Sequence, residues 1–246
     1  GQIQQRLSEL SAKFSENVLD ATMAWTKLVT DDALLAGCPE NTKALLAQNA
    51  KERDQEGYLI TLDFPSYIGV ITYAESEELR KEVYEAYATK ASEVGPQAGQ
   101  FDNSNVMEEL LSLKQELAKL LGFQNASEKS LARKMAKSTN EVLNFLTELG
   151  KKGRAKAEAD LKELQDFARD ELSMNDLNAW DMTYVSEKLK VKTYEISQEE
   201  TRQYFPLDHV ISGMFEIVNR IFGIEVQRIE SAITWHKDVH FYSVHK

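Results

Sequence analysis

Apolar residues recur along most of this chain at the three- and four-residue intervals typical of helices with one buried face. The first run contains Ile3, Leu7, Leu10 and Phe14, and it predicts a helix over about 3–25. Proline is scarce, with four residues, which favours long helices because proline interrupts them. Similar spacing and end signals predict further helices at about 30–37, 41–55, 75–94, 105–121, 138–150, 155–172, 180–192, 197–205 and 207–222.

Elsewhere the pattern changes to a period of two. Residues 58–64 alternate as in a strand, and a second apolar run at 68–73 follows Pro65, so we predict a short two-stranded element or an extended arm here. Residues 224–229 and 239–244 also have extended patterns. The predicted fold is therefore mainly α, a multi-helix bundle-like domain with small β patches.

Side chains that cap helices set several of the predicted boundaries. Asn105 and Ser138 are each followed three residues later by Glu, which is the pattern of a capping box. Gly122 and Gly223 follow apolar runs and predict helix ends. We interpret residues 1–246 as a single helical region, and any subdivision is expected near 95–104, where glycine and proline cluster.

The composition narrows the range of functions. The net charge of −11 would repel nucleic acid from most of the surface, and no apolar run approaches the length needed to span a membrane. The single cysteine, Cys38, cannot form an internal disulfide, which is typical of a cytoplasmic protein. The first residues lack an initiating Met and the apolar core of a signal peptide, so we interpret them as a cut end.

The tail contains the spacing H-x-x-x-H at His236 and His240, which zinc proteases use within H-E-x-x-H. Lys237 occupies the place of the general base, and an ammonium group would repel a metal dication. In a strand, residues four apart are about 13 Å apart, too far for two ligands of one zinc ion. The residues alone therefore predict no catalytic, cofactor-binding or metal site in this chain.

Several blocks of sequence nevertheless occur in the order known from one family. They are NVLDAT at 17–22, TLDFPSY at 61–67, LAKLLGF at 117–123, SLARKMA at 130–136, AWDMTY at 179–184, SEKL at 186–189, YFP at 204–206, VISGMF at 210–215 and WHKDV at 235–239. This series resembles the thimet oligopeptidase family of zinc metallopeptidases, and the two early blocks are similar to its bacterial branch. Local departures are small: Val185 follows Tyr184 where the family often has a second Tyr, and His240 stands where it often has Arg.

The resemblance implies a zinc enzyme that cleaves short peptides in a channel between two largely helical halves. It also implies that H-E-x-x-H lies beyond the WHKDV block, so we interpret the chain as an internal fragment. We expect zinc in the longer protein, and neither zinc nor peptidase activity in the fragment. The alternative is a non-enzymatic helical protein that binds or scaffolds other molecules.

Four aromatic residues are candidates for the wall of that channel: Trp180, Tyr184, Tyr204 and Trp235. The competing interpretation is that they belong to the core, where aromatic side chains usually supply buried area. A fragment of an enzyme should also expose apolar surface that the rest of the protein covers, which favours self-association of the isolated chain.

Overall fold

The computed structural model describes residues 1–230, 233–236 and 238–246. Within these ranges the chain is mainly α, as predicted, with ten α-helices and two antiparallel sheets of two strands each. The helices are α1 (Gln2–Ala24), α2 (Glu40–Lys51), α3 (Phe64–Tyr73), α4 (Glu77–Ala88), α5 (Ser104–Leu120), α6 (Ala126–Leu131), α7 (Thr139–Leu172), α8 (Met182–Tyr194), α9 (Gln198–Arg202) and α10 (Leu207–Phe222). The strands are β1 (Thr26–Val29), β2 (Tyr58–Thr61), β3 (Glu225–Ile229) and β4 (Phe241–His245), and a 3₁₀ helix spans Asp32–Leu35.

The chain divides into two compact units, Gly1–Lys192 and Thr193–Lys246. The loop at 95–104, where we expected any subdivision, lies within the first unit. The first unit contains two hydrophobic clusters. The N-terminal cluster comprises Val29, Leu35, Cys38, Leu46, Ile60, Val70, Ala74, Leu79 and Val83. The hairpin cluster comprises Leu164, Ala168, Tyr184 and Val185.

One predicted strand is wrong. Residues 68–73 belong to α3, and β2 pairs instead with β1, with Thr26 opposite Thr61 and Val29 opposite Tyr58. Pro65 lies in the first turn of α3, where its missing N–H leaves no hydrogen bond unmade. Gly69 and Val70 are buried, so this helix is apolar on more than one face and its sequence lacks the usual amphipathic period.

A predicted break in the longest helix is also wrong. The two helices expected at 138–150 and 155–172 form one 34-residue helix, α7, which continues through Gly150 and Gly153. Ion pairs one turn apart stabilise this stretch, including the pair between Arg154 and Glu158 at 2.7 Å.

The predicted helix caps have mixed outcomes. Ser138 caps α7 by accepting a hydrogen bond from the backbone N–H of Glu141 at 3.1 Å, as predicted. The capping box predicted at Asn105 is wrong, because the N-cap of α5 is Asn103, two residues earlier. The buried Asn103 side chain instead accepts a hydrogen bond from Asn17 of α1 at 2.8 Å. It therefore links α1 to the start of α5.

The second unit contains α9, α10 and the sheet of β3 and β4. Helix α10 has its predicted bounds, and Gly223 ends it in the left-handed conformation at φ 64°. The predicted extended segments pair as antiparallel strands, with Glu225 opposite His245 and Ile229 opposite Phe241. Phe215 on α10 contacts Tyr242 on β4 edge to face, with ring centroids 5.1 Å apart. One side of α10 therefore packs on this sheet.

Candidate functional site

Two of the four predicted wall residues, Trp180 and Tyr184, lie where the beginning of α8 meets α4. Helix α4 is capped by Ser76, whose hydroxyl accepts a hydrogen bond from the N–H of Leu79 at 3.2 Å. Four residues of α4 have the spacing that places side chains on one face of a helix: Glu77, Arg80, Lys81 and Tyr84. Each contacts Trp180, Asp181 or Tyr184.

The centre of this junction is a buried ion pair between Arg80 and Asp181, whose side chains are 1% and 0% exposed. The Arg80 Nη2 and Nε atoms donate to Asp181 Oδ1 at 2.6 and 3.3 Å. Arg80 Nη1 donates to the carbonyls of Ala74 and Glu75 at 2.8 and 3.0 Å. Such saturation is required because a buried charge that lacks partners is very costly.

Asp181 also organises the beginning of α8. Its Oδ2 atom accepts a hydrogen bond from the N–H of Asn178 at 3.2 Å, and its carbonyl accepts one from the N–H of Val185 at 2.9 Å. One residue therefore closes the turn before α8, begins the helix and binds α4. The AWDMTY block contains Asp181, but no sequence signal assigned a role to its carboxylate or to Arg80, although an Asp immediately before a helix is a recognised N-cap signal.

Trp180 lies beside this ion pair and is half-buried. Its indole Nε1 donates to Glu77 Oε1 at 3.4 Å, and its ring contacts Tyr84 edge to face with centroids 6.3 Å apart. Lys81 Nζ lies 5.2 Å from the centroid of the Trp180 ring. Trp180 therefore combines packing against α4 with an accessible edge.

Tyr184 is 7% exposed and belongs to the hairpin cluster. The Arg80 Cζ atom lies 4.2 Å from its ring centroid, and Lys188 Nζ lies 5.3 Å from it. Arginine at this distance from an aromatic ring makes a favourable cation–π contact, which is stronger where water is excluded. The structure thus places Tyr184 among buried residues, as the core interpretation expected of it.

The other two predicted wall residues belong to the second unit. Tyr204, after α9, is 78% exposed, and Trp235 is 82% exposed. Trp235 contacts Phe241 of β4 edge to face, with ring centroids 6.2 Å apart. Within that unit, both side chains are therefore accessible.

The tail histidines do not form a metal centre in the described residues. Strand β4 begins at Phe241, so His236 and His240 both lie before the strand, and the strand geometry expected for them is wrong. The Nδ1 atom of His236 accepts a hydrogen bond from the N–H of Asp238 at 3.3 Å. Lys237 lies outside the described residues. Across 1–230, 233–236 and 238–246, no three His, Cys, Asp or Glu side chains are placed to hold a metal ion, so these residues do not fit the zinc of the resembled family.

Cys38 is buried in the N-terminal cluster and is not disulfide-bonded. Burial raises the pKa of its thiol to about 11, so the thiol is protonated at neutral pH and is a poor nucleophile. In the described part of the chain, no helix has the length and apolar character needed to cross a membrane.

Comparison with known proteins defines the class of this helical chain. The sequence profile of Peptidase family M3 matches residues 70–246, and the chain belongs to this peptidase family. The chain is 50% identical over 245 residues to oligopeptidase A of Escherichia coli strain K12, and 49% identical over 244 residues to oligopeptidase A of Haemophilus influenzae. It is 38% identical over 252 residues to the organellar oligopeptidase A of Arabidopsis thaliana. The family resemblance predicted from the sequence blocks is thereby confirmed.

The matches cover almost the whole of this chain but a minor part of each relative. They take in 100%, 99% and 98% of the chain, and 36%, 36% and 31% of the three relatives respectively. The chain therefore spans about a third of the length of the curated relatives that it matches.

Proposed function

We propose that this chain is the helical, non-catalytic portion of a longer zinc metallopeptidase that hydrolyses short peptides. The observation that carries the proposal is the match of the entire chain to about a third of oligopeptidase A at 50% identity. The peptide substrates and the zinc ion are inferred for the longer protein from this relationship. A cytoplasmic location accords with the single, reduced Cys38.

The zinc ligands are proposed to belong to the other segments of the longer protein, as the resemblance to the family implies. The part assigned to this chain is to form one wall of the peptide channel. Trp180, Tyr204 and Trp235 have accessible surface that can contact a peptide. Tyr184 is buried beneath Arg80, so it would support the wall from inside without contacting the peptide.

The test compares the 246-residue chain with the longer protein from which it comes. We expect the chain alone to contain less than stoichiometric zinc by atomic emission and to leave a fluorogenic short peptide uncleaved. The longer protein should contain bound zinc and cleave the peptide, and a chelator should abolish that cleavage. A longer protein that binds no zinc and cleaves nothing would leave the non-enzymatic scaffold as the better interpretation.

Peptidase activity in the chain alone would contradict the proposal that this chain is the non-catalytic portion of the longer protein. A matched control is the double substitution His236→Ala with His240→Ala in the chain. If the chain were active through its tail, this change would abolish the activity. If the proposal is correct, neither zinc content nor peptide cleavage by the chain changes.

A further inference from the structure

The junction of α4 with α8 joins two bodies that each have a hydrophobic cluster of their own. Among the described residues, the N-terminal cluster draws on the segment from β1 to α4, and the hairpin cluster draws on α7 and α8. The two clusters share no member within that part of the chain. The N-terminal cluster can therefore keep its packing when the contact between the bodies is lost, whereas the hairpin then has only its own four-residue cluster.

The α7–α8 hairpin, residues 139–192, is also held together internally. Lys192 of α8 forms an ion pair with Glu171 of α7, and its Nζ atom lies 5.6 Å from the ring centroid of Phe167. Ser173 ends α7 in the left-handed conformation at φ 57°, and the N–H of Met174 returns to the carbonyl of Ala168 at 3.0 Å. These contacts lie within the hairpin and do not depend on α4.

The contact between the bodies is, by contrast, charged and polar at its centre. Arg80 and Asp181 are both buried, and Arg80 also lies over the Tyr184 ring. Trp180 beside them contacts Glu77, Lys81 and, edge to face, Tyr84. Separating an apolar interface exposes apolar area to water, which is unfavourable. Separating a buried ion pair instead returns both charges to water, so much of the lost attraction is offset by hydration.

We propose that the Arg80–Asp181 pair is a latch, and that the α7–α8 hairpin detaches from the N-terminal body as a unit when the latch opens. The latch favours the closed state because each buried charge has the opposite charge as one of its partners. Removing one partner leaves the other buried and unpaired in the closed state, which biases the hairpin towards opening. The N-terminal cluster keeps its packing in both states.

Hydrogen exchange on the 246-residue chain tests the latch. Because a detached hairpin with a cluster of only four buried residues unravels readily, the amides of Leu164, Ala168 and Val185 should exchange at least about a hundred-fold faster in Asp181→Asn. The amides of Leu46, Ile60 and Val70 should keep their protection. Arg80→Met should give the same regional pattern, and the double variant should add little to either change.

The matched control is Asp160→Asn, the same substitution at an exposed ion pair with Lys156 on α7. It should leave the exchange of both clusters unchanged. A second measurement uses the unaltered chain in low urea. Opening of the hairpin should expose less surface than global unfolding, so the exchange of Leu164 and Val185 should depend less steeply on urea than that of Leu46.

Two results with the Asp181→Asn variant would overturn the proposal. One is that Asp181→Asn accelerates exchange equally in both clusters, which would mean that the two bodies unfold together. The other is that the variant changes exchange in neither cluster, which would mean that the pair does not control the junction. Equal urea dependence of the two clusters in the unaltered chain would likewise exclude a separately opening hairpin.

Discussion

Close packing between α2 and α3 makes a clear prediction at Gly69. A Cβ atom added at this position would lie 2.7 Å from Thr42 Cγ2 and 3.2 Å from Thr42 Oγ1. Ordinary contacts between carbon atoms are about 3.5–4.0 Å, so Gly69→Ala requires a displacement of roughly 1 Å. Thr42 is 8% exposed and its side chain is β-branched, so rotation about χ1 moves one heavy atom away only by bringing another in.

Two opposing effects set the magnitude. Overpacking a well-packed core typically costs about 1–3 kcal/mol. Alanine in place of glycine in a helix interior contributes about 1 kcal/mol in the stabilising direction. Because the contact at 2.7 Å is severe, we expect Gly69→Ala to lower the free energy of unfolding by about 1–2 kcal/mol. In a Thr42→Ala background the clash disappears, so the same substitution should stabilise by up to about 1 kcal/mol.

Urea denaturation can measure both effects. The reporter is the fluorescence of Trp25, which packs against the N-terminal cluster, in a background where Trp180 and Trp235 are replaced by Phe. Thr42→Ala alone supplies the control. The free energies of unfolding of the variants can be compared if the slope of unfolding free energy against urea concentration is the same in all of them. The reasoning is refuted if Gly69→Ala is neutral or stabilising with Thr42 present. It is equally refuted if removing the Thr42 side chain does not alter the effect.

Two further predictions concern Cys38 and α10. Because burial raises the pKa of Cys38 from 9.0 to about 11, the native thiol should resist a thiol-specific chromogenic reagent at pH 8 and react upon unfolding. The buried neutral thiol stabilises the folded chain fully below about pH 9, and this stabilisation is lost as the pH rises towards 11. Prompt labelling of the native chain would contradict this. Helix α10 exposes a stripe of apolar side chains, formed by Leu207, Val210, Met214, Ile217 and Ile221. We therefore expect the chain to self-associate. Sedimentation experiments should show weaker association in the variant Ile217→Glu. The control Glu216→Gln lies off the stripe, and an equal effect of both changes would count against the stripe as the contact surface.

The elements that sequence predicts well are those whose signals are local. Helix α10 has an apolar stripe, Pro206 before its first residue and Gly223 after its last, and its bounds are as predicted. The end of α7 at Leu172 was also predicted from its apolar spacing, which Leu164 and Ala168 continue into the hairpin cluster. These signals lie within a few residues of the boundaries that they set.

The errors arise where the deciding contact is distant or the local pattern is ambiguous. Strand β1 has four residues, and its formation depends on pairing with β2 some thirty residues later. Residues 64–73 form an apolar run, and such a run can be either a buried strand or a buried helix. At the candidate site, the sequence blocks pointed to Trp180 and Tyr184. Arg80, which contacts Tyr184 and pairs with Asp181, lies 101 residues from Asp181, so no local pattern could have revealed the pair.

The continuity of α7 through its two glycines has a consequence for its stiffness. Gly150 and Gly153 contact no side chains that would compensate for their flexibility, since the space around each is open. Each costs about 1 kcal/mol relative to alanine in a helix, so the local backbone opens roughly thirty-fold more often with both present. We therefore expect this 34-residue helix to bend and open preferentially around 150–153, on the N-terminal side of its centre.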